Sequence, residues 1–234
     1  MANYDLLTVN NDAKTSKGAK KGWFTGVLYG APGTEADGKT NMCRWASLAC
    51  LDACLYRSGR AENTASIIAA RIRRTLQYLA NPAAFAVRLH TDFLKLQKQA
   101  RKLGLKPAGR VNGTFDIPKL GMLMAKLMPE MQFYDYTKCP KPWLRTRPNY
   151  HLTFSYSGEN MAECIDAMAH GINVAVVFED VIPAEWNGWP VIDGDQDDLR
   201  FLDPVGVVVG LTVKDNKATR ATTSSPFIQI ANAA

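Results

Sequence analysis

The chain has 234 residues, 47% of them hydrophobic and 21% charged, with 12 prolines and 17 glycines, which is the size and chemistry of one generous globular domain. These figures exclude a disordered chain, a collagen-like fibre and a small disulfide scaffold, and no apolar run approaches the ~18 residues a membrane helix requires. The opening, MANYDLLTVNNDAKTSKGAKKG, lacks the charged-then-apolar layout of a signal peptide, so a cytoplasmic protein with no membrane partner is expected. Lys and Arg number 28 against 22 Asp and Glu, a net charge of +6. The positive charge gathers at Lys14, Lys17, Lys20 and Lys21, at Arg57, Arg60, Arg71, Arg73 and Arg74, and along Lys95, Lys98, Arg101, Lys102, Lys106 and Arg110. Such density suits a phosphate-bearing partner, a nucleotide or nucleic acid. A solvated basic face is the plainer account.

No repeat of ~20–50 residues is present, which excludes solenoids and propellers. WFTGVLY (23–29) reads as a strand that ends in the turn GAPG. Helices are expected over 61–80, stopped by Asn81-Pro82, and over 83–103, with Phe85, Leu89, Phe93 and Leu96 at helical spacing and Gly104 as the stop. LKPAGRVNG is a short strand, IPKLGMLMAKLMP a helix with Pro118 in its first turn, and MQFYDYT a strand. NYHLTFSYS alternates, placing His151, Thr153 and Ser155 on one face. ENMAECIDAMAHG is a helix closed by Gly171. INVAVVF is an apolar run of the buried parallel type. A loop rich in Trp and Asp precedes the last strands, VVVGLTV and PFIQI. Strand–helix–strand succession predicts an α/β fold, a single-domain parallel, partial TIM-like barrel of βα units whose chemistry gathers at the carboxyl ends of the strands. The boundaries expected are a basic segment at 1–22, the barrel-like domain at 23–215 with a cysteine loop at 43–54, and a tail at 216–234 carrying one extra strand.

Three of the five cysteines fall within twelve residues, Cys43-x6-Cys50-x3-Cys54, in the loop after the first predicted strand. Without a secretion signal, clustered cysteines point to metal or redox chemistry rather than disulfides. Three thiolates from one loop can hold three irons of a [4Fe–4S] cluster and leave the fourth iron open. They can also bind zinc, with His90 or His151 completing the set, or simply pack a tight loop. Cys139 and Cys164 stand alone.

Asp193-Gly-Asp195-Gln-Asp197-Asp198 imitates the start of an EF-hand loop, but Asp198 occupies the glycine position and Pro204 the final glutamate position. A Mg²⁺ site or acid/base groups at Asp193, Asp195 and Asp203 are the alternative to a solvated turn, and the turn is favoured. Asp135, near a strand end, is a candidate base or nucleophile, whereas Asp116 is expected to cap the helix that begins at Ile117-Pro118. His151 is a candidate interior ligand or base. His90 and His170 are taken as packing or surface residues. GxSxG, Walker, HExxH and dinucleotide fingerprints are absent from the sequence.

KTSKGAKKGWFTGVLYGAPG, NMCRWASLACLDACLYRSGRAENTASIIAARIRRT, RVNGTFDI, QFYDYTK, NYHLTFS, NVAVVF, VIDGDQDDLRFLDP and GVVVGL together resemble the phage-encoded gene product 88 family, over roughly 14–213. That family has no settled activity, so the resemblance implies kinship without a function. The layout is also similar to the radical S-adenosylmethionine enzymes, partial parallel barrels with three cluster cysteines after the first strand. That likeness implies S-adenosylmethionine contacts at Asn112-Gly113-Thr114 after the second strand and at Ser155 and Ser157 closing the fourth. The cysteine gaps are six and three here, against three and two in those enzymes. The expected function is a phage-encoded iron–sulfur metalloenzyme acting on a nucleotide or nucleic acid. The alternatives are a zinc-containing enzyme resembling the deazaguanine transglycosylases, with Asp116 or Asp135 in the chemistry, and a non-catalytic phage protein that binds nucleic acid or a host factor.

Overall fold

A single sheet, ten-stranded among the described residues, organises the fold. The computed structural model describes residues 4–9, 13–54, 64–213 and 225–231. In chain order the elements are β1 (Leu7–Val9), α1 (Ala13–Lys20), β2 (Trp23–Leu28), α2 (Leu48–Asp52), α3 (Ala65–Ala80), α4 (Pro82–Lys102), β3 (Lys106–Arg110), α5 (Pro118–Leu127), β4 (Gln132–Thr137), β5 (Tyr150–Ser155), α6 (Met161–Ala169), β6 (Val174–Phe178), β7 (Glu185–Trp186), β8 (Trp189–Asp193), β9 (Val208–Thr212) and β10 (Ile228–Gln229). Residues 61–63 of the expected first helix lie outside the described residues.

The strand order is β1-β2-β3-β4-β5-β6-β9-β8-β7, with β10 added to β6. From β2 to β8 along that path every pairing is parallel. The edge strands β1 and β7 pair antiparallel. The α/β fold expected as a parallel, partial TIM-like barrel is thus a mixed, open sheet among the described residues. A local cause is visible at one edge. Asn187 and Gly188 take φ of 50° and 82°, the left-handed two-residue turn that suits a tight hairpin, and it folds β7 back on β8. Between β4 and β5 the prolines Pro140, Pro142 and Pro148 allow only a 3-10 turn, Pro142–Leu144, in place of a crossover helix.

Elsewhere local signals set the elements. The Asn81 side chain accepts from the Ala84 N–H at 3.0 Å and caps α4, with Pro82 in its first turn. Gly104, at φ 67°, ends it. The buried stripe Phe85, Leu89, Phe93 and Leu96 of α4 and Leu120 and Met124 of α5 cover one face of the sheet over Phe133 and Leu152. Helix α6 covers its continuation, with Cys164 and Ala167 against Phe154, Val176 and Val208. Cys164 is thus a core residue. Gly109 lets α4 approach, because a Cβ there would lie 2.7 Å from the rings of both Phe93 and Phe133.

The opposite face of the sheet is polar. Thr25, Arg110, Tyr134 and Thr153 are buried on it, under the 3-10 turn Arg200–Leu202, whose Phe201 ring meets Trp23 edge-on at 4.7 Å. Asp198 pairs with Arg110 at 2.8 Å and accepts from the Tyr134 hydroxyl at 3.3 Å. Asp197 pairs with Lys21 and Arg200. The expected solvated turn is corrected here. Asp193 is exposed, but Asp197 and Asp198 are buried because Lys21 just after α1, Arg110 of β3 and Arg200 of the turn itself meet them.

Candidate functional site

A cavity of about 210 Å³ opens at the carboxyl ends of the parallel strands. Strands β5 and β6 pair at Phe154–Val174 and Ser155–Ala175, and further along β6 its partner at Val177 and Phe178 becomes β10. Ser155, Tyr156 and Val177 line the cavity at this exchange, and Phe227 and Ile228 arrive with β10 as a further wall. Arg110, Tyr136 and Leu211, near the ends of β3, β4 and β9, complete the floor.

All three clustered cysteines line this cavity. The loop that carries them is anchored at several points. The Cys43 N–H donates to the Asn41 side chain at 2.8 Å, and the Met42 N–H to the Gly33 carbonyl at 2.8 Å. Ser47 caps α2 by accepting from the Cys50 N–H at 3.1 Å, while its hydroxyl donates to the Ser157 carbonyl at 2.5 Å. One serine thus ties the cysteine loop to the exit of β5. Burial pushes the Cys43 thiol up to about 12, and the neighbouring Cys54 adds to the shift. Among the described residues no group of three or more His, Cys, Asp or Glu side chains is gathered as a metal site. Three thiols and the ammonium of Lys138 nonetheless share a single cavity, and a buried thiol ionises readily only against a cation or a metal.

Asn112, Gly113 and Thr114 line the same cavity. The Asn112 side chain is committed inward. Its Nδ2 donates to Asp135 at 2.9 Å and its Oδ1 accepts from the Ile117 N–H at 2.8 Å. Gly113 presents backbone, since a Cβ there would lie 2.6 Å from the Tyr29 ring and 2.7 Å from the Leu28 carbonyl oxygen. The Thr114 hydroxyl donates to the Gly30 carbonyl at 2.5 Å. The Asn-Gly-Thr turn therefore offers the cavity its main chain and shape.

Asp135 lies behind the turn and not in the cavity wall. Alternation along β4 sends Tyr136 to the cavity and Asp135 toward α5, where it accepts from the Asn112 N–H at 2.7 Å and the Tyr150 hydroxyl at 2.9 Å. Burial pushes its carboxyl up to about 7 against these hydrogen bonds. His151 is also away from the cavity wall. It shares the polar face with Thr153 and Ser155 as the alternation predicts, and burial, then Arg200, lowers it to about 4. Of the remaining expected contacts, Ser155 lines the cavity and Ser157 does not. The buried Ser157 engages through its backbone, its N–H donating to Asn160 at 2.7 Å.

Asp116 is corrected from helix cap to cavity wall. The residue preceding α5 is Ile117, without a side-chain cap, and the Asn112 side chain takes the Ile117 N–H instead. The Asp116 carboxylate accepts from the Thr137 hydroxyl at 2.9 Å and the Lys138 N–H at 2.8 Å, and burial raises its pKa. Lys138 lines the cavity as well, and no sequence motif marks it. Its parity with Tyr134 and Tyr136 along β4 was the available signal.

Arg57 and Arg60 lie outside the described residues, and two described basic groups stand at opposite ends of the sheet. Helix α4 feeds the amino end of β3 through a short turn, so Arg101 and Lys102 stand opposite the cavity. At the cavity end, the Arg71 guanidinium lies 5.1 Å from the centre of the Tyr29 ring, and Arg74 donates to the Tyr29 carbonyl at 3.4 Å.

Fold and site together define an α/β protein with one open mixed sheet and a cysteine-lined cavity at its parallel strand ends. The family model described as gene product 88 matches residues 5–226, and the chain belongs to that family. No curated protein matches the chain, and no solved structure matches it.

Proposed function

We propose that the cavity is a metal-cofactor centre in which Cys43, Cys50 and Cys54 hold a [4Fe–4S] cluster, making the protein a phage-encoded metalloenzyme with a layout like that of the radical S-adenosylmethionine enzymes. One observation carries the proposal: three cysteines of a single loop all line one cavity at the carboxyl ends of successive parallel strands. Strands β2, β3, β4, β5, β6 and β9 follow one another in space in chain order, which supports taking them as an opened, TIM-like partial barrel. A site-differentiated cluster supplies an open iron for a cofactor or substrate, and electron transfer to it. The chain's own residues do the rest. The Asn112-Gly113-Thr114 turn and Ser155 shape the binding wall, Asp135 and Tyr150 hold the turn in place, and Arg71 and Arg74 offer positive charge at the same end for a nucleotide or nucleic acid.

The test is protein purified without oxygen, analysed for metal and by ultraviolet–visible absorption. Close to four irons per chain with a broad band near ~400 nm is the expected result, and replacing any one of Cys43, Cys50 and Cys54 by Ala should abolish it. Full iron retention in the triple variant refutes the ligand assignment. One colourless zinc per chain would replace the cluster with the zinc-containing alternative. A folded, metal-free protein would leave a nucleic-acid or host-factor binding role, recognisable by affinity that falls steeply with salt.

A further inference from the structure

Among the described residues that line the cavity, the cations are Arg110 and Lys138. Arg110 is already matched: its guanidinium pairs with the buried Asp198 at 2.8 Å and lies 4.6 Å from the centre of the Tyr136 ring. Lys138 is placed differently. Its backbone is fixed by the N–H bond to Asp116, and that carboxylate is also held by Thr137. Its ammonium lies 5.7 Å from the centre of the Phe227 ring, in the cavity that Cys43, Cys50 and Cys54 also line. A lysine with only a packing role extends its charge into water. Here the charge shares a cavity with three thiols.

We propose that Lys138 is a positioning residue of the metal centre, its ammonium hydrogen-bonding the Cys50 sulfur and balancing the negative charge that three thiolates bring into the cavity. This rests on the assignment of Cys43, Cys50 and Cys54 as cluster ligands. Hydrogen bonds to ligand sulfurs and a nearby positive charge stabilise the reduced, more negative form of an iron–sulfur centre and so raise its reduction potential. Losing both also weakens the hold of Cys50 on its metal. Lys138→Met keeps the length of the side chain while removing the charge and the donor. Lys138→Gln keeps a donor without the charge.

The experiment compares full-length wild type, Lys138→Met and Lys138→Gln after anaerobic loading with iron and sulfide. Iron content, the midpoint potential from a redox titration followed by electron paramagnetic resonance, and the rate of iron loss to a chelator are measured. The expected result is a lower potential and faster iron loss in Lys138→Met, with Lys138→Gln between it and wild type. If the Met variant does not fold, as judged by circular dichroism, the Gln variant carries the comparison. A loaded wild type whose potential and iron loss are matched by the folded variants overturns the role of Lys138 alone. A wild type that takes up no iron overturns both this role and the cluster assignment beneath it.

Discussion

Replacing Asp135 by Asn should change the pH dependence of stability far more than stability in acid. Asp135 is 1% exposed, and burial moves its carboxyl from the ordinary 3.8 to about 7, the hydrogen bonds from Asn112 and Tyr150 opposing the shift. The unfolded chain releases this proton near 3.8 and the folded chain near 7. Between those values the native state binds more protons, so stability falls as pH rises through the interval. The contribution is complete below the unfolded value and lost once the folded group ionises. A tenfold change in proton affinity is worth about 1.4 kcal/mol, which sets the whole loss near ~4 kcal/mol. His151 has the opposite slope: its pKa is lowered to about 4 by burial and then by Arg200, so stability rises with pH as the unfolded imidazole gives up its proton. Wild type and Asp135→Asn both keep His151, and their difference isolates Asp135. Urea unfolding of the pair should show the variant gaining on wild type by ~4 kcal/mol from about pH 4 to about pH 8. A difference that stays constant across that range would refute the assignment of a neutral, buried Asp135 in acid.

Two further substitutions test the framework of the site. Asp198→Ala leaves the Arg110 guanidinium buried without its 2.8 Å partner, and chemical denaturation should show a loss of about 3–5 kcal/mol. Ser47→Ala removes both the α2 cap and the bond to the Ser157 carbonyl. Global stability should fall by about 1 kcal/mol, while hydrogen exchange of the 47–54 amides quickens much more than that of β4 or β5.

The tie from Ser47 to Ser157 and the clamp of Asp135 on Asn112 address different parts of one cavity. Ser47 sets where the cysteine loop meets the β5 exit. Asp135 and Tyr150 fix the Asn112 turn from behind the sheet. Asp135 therefore acts on the cavity through Asn112, and the residues that line the cavity at the β4 end are Tyr136, Thr137 and Lys138.

Much of the fold is legible in short-range patterns. The i, i+4 apolar spacing of Phe85, Leu89 and Phe93, the Asn81-Pro82 start and the Gly104 stop are enough to place α4, because capping and side-chain periodicity are properties of neighbouring residues. The same holds for β2 to β6 and for the three cysteines as a group. The β7–β8 hairpin was also written locally, in Trp186-Asn187-Gly188-Trp189, but its strands are too short for alternation to announce them. What the sequence could not reveal was which face of each strand would meet the cavity and which charge would meet which. Asp135 and Tyr136 are neighbours in the chain on opposite faces, and the choice was made by Phe133 packing beneath Phe93 of α4. Asp198 reads as a solvated acid until Arg110, 88 residues away, is brought beside it. Asp116 reads as a cap until Thr137 and Lys138 of the next strand take its carboxylate. Local spacing follows from backbone periodicity, whereas these partners are set by sheet order and layer packing, which depend on contacts between distant parts of the chain.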